Sequence, residues 1–244
     1  MNEIVAQTEG AILRITLNCP ERGNSASDAM VRELGERIAG APPAADLIVL
    51  RGAGSDFCLG RSRMGVRKAV EPEALERRDT TEVVFGLYRS IREARIPVLC
   101  GVQGGAIGFG CALAAMCDIT IATADARFST PEMRHGVLPT VVMSAFVDRV
   151  PRKALQYLIY SSAEIGAERA LSFGIVSDIV PPGGLDAAID DLCKAILEAP
   201  SVAICGAKEF MRTAPDMPIH GAVDYARNLH ATINSSRRMR EKRA

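Results

Sequence analysis

Tryptophan is absent from the 244 residues, aromatic side chains make up only 5%, and histidine occurs three times, at His135, His220 and His230. Three imidazoles so far apart form no metal-ligand pattern. Few aromatics, with no excess of charge (29 basic against 29 acidic side chains), leave neither the stacking platform nor the field a nucleic-acid binder needs. No apolar run is long enough to cross a bilayer, and the opening residues do not read as a signal peptide. A CxxC pair is also missing. The seven cysteines, Cys19, Cys58, Cys100, Cys111, Cys117, Cys193 and Cys205, are odd in number and sit largely in apolar runs. They read as buried thiols of a reducing compartment, and the expected location is cytoplasmic.

What is abundant is apolar residues, 48% of the chain, and glycine, 21 residues. The first can fill the core of one large domain, or of a domain with a small appendage. The second is concentrated where it matters. Val98 to Val102 is a short buried strand, and Gly101, Gly104, Gly105, Gly108 and Gly110 end or follow it. A helical pattern then starts at Gly108, with small Ala112, Ala114 and Ala115, and a second buried strand runs from Ile119 to Ala122. Strand, glycine turn and helix N-terminus together hold negative charge, because the first N–H groups of a helix have no intrahelical acceptor. Earlier in the chain Leu47 to Leu50 is a buried strand, followed by Arg51-Gly-Ala-Gly-Ser-Asp-Phe-Cys-Leu-Gly60, a second strand ending in a glycine turn.

The remaining pattern fits α/β alternation. Glu3–Gln7 and Ala11–Asn18 flank Glu9-Gly10 as a hairpin. Ser27 caps a helix to about Ala39, stopped by Gly40-Ala-Pro-Pro43. Met64 to Val70 reads as one or two helical turns. Pro72 to Arg95 carries a helix with Leu75, Val83, Leu87 and Ile91 as its apolar stripe. Helices are expected near Thr140–Val150, Arg152–Ser161, Glu164–Phe173, Leu185–Ala199, Val202–Thr213 and Asp216–Arg243, with a late strand at Ile175–Val180. The organisation expected is a core over 1–185 and a helical region over 186–244.

Four stretches in order resemble the crotonase superfamily, the enoyl-CoA hydratase/isomerase family. They are Leu17-Asn-Cys-Pro-Glu-Arg-Gly-Asn-Ser25, Arg51 to Gly60, Val102 to Asp118, and Ala126-Arg-Phe-Ser-Thr-Pro-Glu132. The resemblance implies a crotonase spiral of ββα units followed by helices that trimerise. It also implies activation of an acyl-CoA thioester by two backbone N–H groups, carried over to Arg61 and Phe109. Arg22, Asn24, Ser25, Gly60, Arg61, Met64 and Gly108 would line the substrate or its nucleotide, and the basic end around Arg237, Arg238 and Arg240 would meet phosphate or simply be solvated. No cofactor is implied, since coenzyme A belongs to the substrate. The partners implied are an acyl-CoA and further copies of the chain, as trimer or dimer of trimers, with neither membrane nor nucleic acid.

Hydratases of this family have two glutamates. Here the first position holds Ala112 and only the second, Glu132, is acidic. Adding water takes two tasks, orienting the water and supplying a proton, whereas moving a double bond needs one base. Isomerisation and hydration by Glu132 alone therefore both stand, beside a hydrolase or decarboxylase of the same family, or a catalytically silent binding protein. The acyl pocket is expected near Leu59, Met64, Val83, Phe85, Leu87, Val137 and Leu138, and His135 would be a neighbour of the base or an ordinary loop side chain.

Overall fold

The computed structural model describes residues 2–62 and 73–241. Met64, and the helical turns expected from Met64 to Val70, lie outside them. The chain opens on an antiparallel hairpin, β1 (Ile4–Glu9) and β2 (Ile12–Leu17), which turns at Gly10 with φ +59°. Helix α1 (Asp28–Ala39) follows, its first turn capped by Ser27, whose hydroxyl accepts from the Met30 N–H. Then come β3 (Leu47–Gly52), α2 (Ala74–Glu93), β4 (Val98–Val102), β5 (Gly105–Ile107), α3 (Phe109–Met116), β6 (Ile119–Thr123) and β7 (Arg127–Ser129). The later elements are α4 (Thr140–Phe146), α5 (Arg152–Ser161), β8 (Ile165–Gly166), α6 (Ala167–Ser172), β9 (Asp178–Val180), α7 (Leu185–Leu197), α8 (Ser201–Thr213), α9 (Ile219–Ser235) and α10 (Arg237–Glu241).

Two sheets result. The larger has the order β1-β2-β3-β4-β6-β9 and is parallel from β2 onward; the smaller is β5-β7-β8. The middle strands are buried on both faces, which is why they read as unbroken apolar runs. Ile48 and Leu50 of β3 point into the main core with α1, α2 and α3, while Leu47 and Val49 point to the other face, where Leu185, Ile189 and Cys193 of α7 cover them. The division anticipated at 185/186 thus falls at the start of a helix packed on the sheet.

Several expectations are corrected. The stretch after Gly52 is not a second strand; it makes only isolated bridges, Cys58 to Ala106 and Arg61 to Ala26. The strand expected over Ile175–Val180 shortens to Asp178–Val180, and the helix expected from Glu164 starts at Ala167 because Ile165 first pairs with Phe128. The helix expected to run from Asp216 starts at Ile219 and breaks at Ser236, which is extended at φ −66°, ψ 148°.

A buried charged pair helps to pin the helical region to the core. Lys208 of α8, almost fully buried, donates from Nζ to Asp118 Oδ2 at 2.6 Å and to the Ile91 carbonyl at 3.2 Å, and the same Asp118 oxygen accepts from the Val98 N–H. Lys208→Met keeps the volume but strands a half-buried carboxylate. Because Asp118 retains the Val98 bond and some solvent, the expected loss is about 2 kcal/mol. A urea midpoint that falls with an unchanged slope checks it.

Candidate active site

The site is made where the turn after β3 meets the turn after β4. The two are laced together by backbone bonds: Phe57 N–H to Gln103 O (2.9 Å), Cys58 N–H to Gly105 O (3.0 Å) and Ile107 N–H to Cys58 O (2.9 Å). Asp56 Oδ1 accepts from Gly105 N–H at 2.7 Å, and the Gln103 amide donates to Gly52 O at 2.7 Å. Asn24, fully buried, ties the first turn from the opening loop. Its amide donates to Ala53 O and Asp56 O, both at 2.8 Å, and its oxygen accepts from Cys19 N–H.

This lacing leaves two amides over. Ala26 N–H bonds Gly60 O and Ser62 N–H bonds Ala26 O, so the Arg61 N–H between them points the other way. Gly108, at φ +54°, sends its own N–H to Ser129 O, and its carbonyl starts α3 by accepting from Ala112. The next N–H, that of Phe109, is the first of the helix and has no intrahelical acceptor. Among the described residues neither the Arg61 nor the Phe109 N–H meets an acceptor.

Both turns open on one cavity of ≈ 510 Å³. Gly60, Arg61, Gly108 and Phe109 line it together with Glu132 and His135. A single face of α2, Thr81, Val84 and Tyr88, also lines it, as do Leu138, Val141 and Val142. Glu132 opens a 3₁₀ turn after Pro131, and its Oε1 lies 2.5 Å from where a Cβ on Gly108 would be. Gly108 is therefore glycine for two reasons, a left-handed φ and the room a carboxylate occupies. Among the described residues Glu132 Oε2 is buried with no hydrogen-bond partner. Burial lifts the carboxyl above its ordinary value, against the pull of its own backbone N–H and of His135. The nearby thiols are held protonated by burial, Cys58 at about 11 and Cys111 higher still, so neither is a ready nucleophile.

A slightly larger cleft of ≈ 630 Å³ lies beside α1, but its polar lining includes Glu33 and Arg37, an exposed ion pair 3.0 Å apart, and none of the buried unpaired atoms falls there. Among the described residues no group of three His, Cys, Asp or Glu side chains is placed to hold a metal ion, and no helix is long and apolar enough to cross a membrane.

Of the residues singled out in the sequence, Gly60, Arg61, Gly108, Phe109 and Glu132 come together. Arg22, Asn24 and Ser25 do not line the cavity. Arg22 is held by Glu3 at 2.5 Å and by the Cys19 sulfur, and the Asn24 amide is spent on the brace. The Arg61 guanidinium pairs with Asp28 and stands 5.9 Å from the Phe109 ring centre. Of the expected acyl pocket, Leu59, Val137 and Leu138 line the cavity, whereas on α2 the reading is one residue out of phase: Val84 and Tyr88 face the cavity, not Val83, Phe85 or Leu87. Leu87 instead packs against Gly35 of α1. Tyr88 was missed altogether. Its only signal was a phenol interrupting an otherwise apolar helix face.

Residues 7–243 match the family model described as enoyl-CoA hydratase/isomerase. The chain belongs to the enoyl-CoA hydratase/isomerase family. It is 25% identical over 228 residues to the short-chain-enoyl-CoA hydratase of Clostridium acetobutylicum, covering 92% of this chain and 87% of that one. The crystal structure of an enoyl-CoA hydratase from Mycobacterium smegmatis superposes with a TM-score of 0.91 at 26% identity, covering 97% and 93% of the two chains. A putative enoyl-CoA hydratase from Thermobifida fusca in complex with acetoacetyl-CoA superposes with a TM-score of 0.84 at 25% identity, covering 94% of each. The family is one of enzymes, and the α/β spiral and helical C-terminal region described above are its fold.

Proposed function

We propose that the cavity binds an acyl-CoA thioester with its carbonyl oxygen between the Arg61 and Phe109 N–H groups, and that Glu132 moves protons at the adjacent carbons. The observation that carries this reading is that three groups left unsatisfied among the described residues, two donors and one carboxylate oxygen, belong to residues lining one mostly apolar cavity. Donors fixed by backbone need no reorganisation as negative charge builds on the thioester oxygen, and each contributes roughly 3–4 kcal/mol at such a transition state. Removing the α-proton gives an enolate held by those donors, and Glu132 then returns the proton. Delivered to the γ-carbon it shifts a double bond; coupled to loss or gain of oxygen at the β-carbon it dehydrates or hydrates.

Among the described residues Glu132 is the only carboxylate lining the cavity, and α3 offers Ala112, fully buried, at the position of a second. One base therefore carries every step. The purified protein tests the reading when offered 3-enoyl-CoA and 2-enoyl-CoA esters and, in deuterium oxide, a saturated acyl-CoA whose α-protons can exchange. Binding of all three with no exchange and no turnover would instead mark a silent binding protein. Self-association as a trimer or dimer of trimers belongs to the same proposal. It is supported by α9, whose 17 residues include none that is buried, and by exposed Ile219 and Val223 on it. Sedimentation at micromolar concentration is expected to give a multiple of three chains; a single-chain mass removes it.

A further inference from the structure

We propose that the Tyr88 hydroxyl is a second catalytic group of this site, donating a hydrogen bond to an oxygen on the β-carbon of the acyl chain. The substrate class that follows is a 3-hydroxyacyl thioester, or its 2-enoyl counterpart with a water. The inference rests on reading the cavity as an acyl-CoA site and goes one step further, to which oxygenated chain it takes.

Tyr88 is 4% exposed, lines the cavity from α2, and its hydroxyl is buried with no hydrogen-bond partner among the described residues. A buried phenol ordinarily finds one. In the same cavity Glu132 Oε2 is also buried and, among the described residues, unpaired. The two deficits are of opposite kind. Tyr88 lacks an acceptor for its proton, and Glu132 lacks a donor for its lone pairs. A hydrocarbon chain satisfies neither, and a carbonyl or ether oxygen satisfies only Tyr88. A hydroxyl group or a water satisfies both, accepting from Tyr88 while donating to Glu132. Ala112 adds no polar atom to compete for that role.

Burial raises the Tyr88 hydroxyl far above its ordinary value, and the charge of Glu132 adds to the rise, although Arg61 opposes it. Tyr88 therefore keeps its proton throughout the working range and acts as a donor, not a base. In the dehydrating direction Glu132 takes the α-proton, and the C–H electron pair becomes the new double bond as the bond from the β-carbon to oxygen breaks. The departing oxygen takes the proton from Glu132 and leaves as water, with Tyr88 O–H donating to it while negative charge builds. Glu132 ends as it began, and Tyr88 never transfers its proton. Hydration is the reverse.

Tyr88→Phe keeps the ring in the wall and removes only the hydroxyl. Three quantities are measured on parent and variant: hydration of a 2-enoyl-CoA, exchange of the α-protons of a saturated acyl-CoA in deuterium oxide, and the relative affinity for 3-hydroxyacyl-CoA over the saturated ester. The expected result is hydration lower by about 10²-fold, a preference for the hydroxylated ester reduced at least ~10-fold, and α-exchange within about twofold of the parent. Hydration and preference unchanged in the variant would overturn the assignment. So would exchange falling in step with hydration, which marks a packing role, or a parent that does not hydrate at all. Failure of the acyl-CoA reading itself gives a different pattern, a parent with no α-exchange on any ester.

Discussion

Glu132→Gln is expected to lower kcat for double-bond chemistry by about 10³–10⁴-fold while leaving acyl-CoA binding close to the parent value. The amide is nearly isosteric and still fits beside Gly108, where the wild-type carboxylate oxygen sits 2.5 Å from the missing Cβ position. It cannot accept a proton, and among the described residues no second carboxylate lines the cavity to replace it. The stability effect has the opposite direction. Burial raises the Glu132 carboxyl above 4.5 in the folded protein, so between the unfolded value and the folded one the native state binds more protons than the unfolded state. Stability contributed by this group is then greatest below that window and declines as pH rises through it, because at neutral pH the ionised, half-desolvated carboxylate opposes folding. Glutamine removes that cost. The variant is expected to melt at the same temperature as the parent or above it at neutral pH. The parent's kcat/KM is expected to fall on the acid side at a pH above the ordinary glutamate range. A variant with activity within tenfold of the parent would show that the base is elsewhere, and one that melts well below it would show that the carboxylate is structural.

Catalysis and stability pull apart at this residue for the same reason that it was legible in the sequence. A carboxylate after Thr-Pro in a segment matching a known family is conspicuous, and so are glycine turns following buried strands. Val98–Val102, Ile119–Thr123 and the Ser27-capped α1 were readable because each has a local cause: a run buried on both faces, or a hydroxyl aimed at an orphan N–H. What could not be read has its cause elsewhere in the chain. The strands Gly105–Ile107 and Arg127–Ser129 are three residues each, too short for a period, and exist because they pair with one another. Asn24 adopts φ +53° because its amide is drawn to carbonyls about thirty residues away. Arg22 seemed free to meet a nucleotide until Glu3 folded against it. On α2 the apolar stripe was broad enough to hide its phase. Only contact with α1 decided that Leu87 packs inward and Tyr88 faces the cavity.

The same dependence of one turn on another gives the second large effect. Gly110→Ala is expected to cost about 10²–10³-fold in kcat per folded molecule and about 2–3 kcal/mol in stability. A Cβ at Gly110 would lie 2.1 Å from the Cys58 carbonyl oxygen and 2.9 Å from its carbon. Those are backbone atoms held by the bond from Ile107 N–H to Cys58 O, so no side chain can swing aside. To admit the methyl, the first turn of α3 must lift from the Cys58 backbone by a sizeable fraction of an ångström. Phe109, one residue earlier, moves with it, while Arg61, three residues beyond Cys58, stays with the other turn. The two N–H groups then no longer point to one spot, and a site whose donors are misplaced by that distance loses most of their transition-state contribution. Gly86→Ala is the control. It lies within α2, a Cβ there meets nothing within 4 Å, and it is expected to be neutral or stabilising by about 0.5–1 kcal/mol with activity intact. Thermal melts alongside kcat measured on the folded fraction separate the two terms for each variant. If Gly110→Ala instead melted and turned over like the parent, the close seating of α3 on the Cys58 carbonyl would not be what sets the two amides against each other.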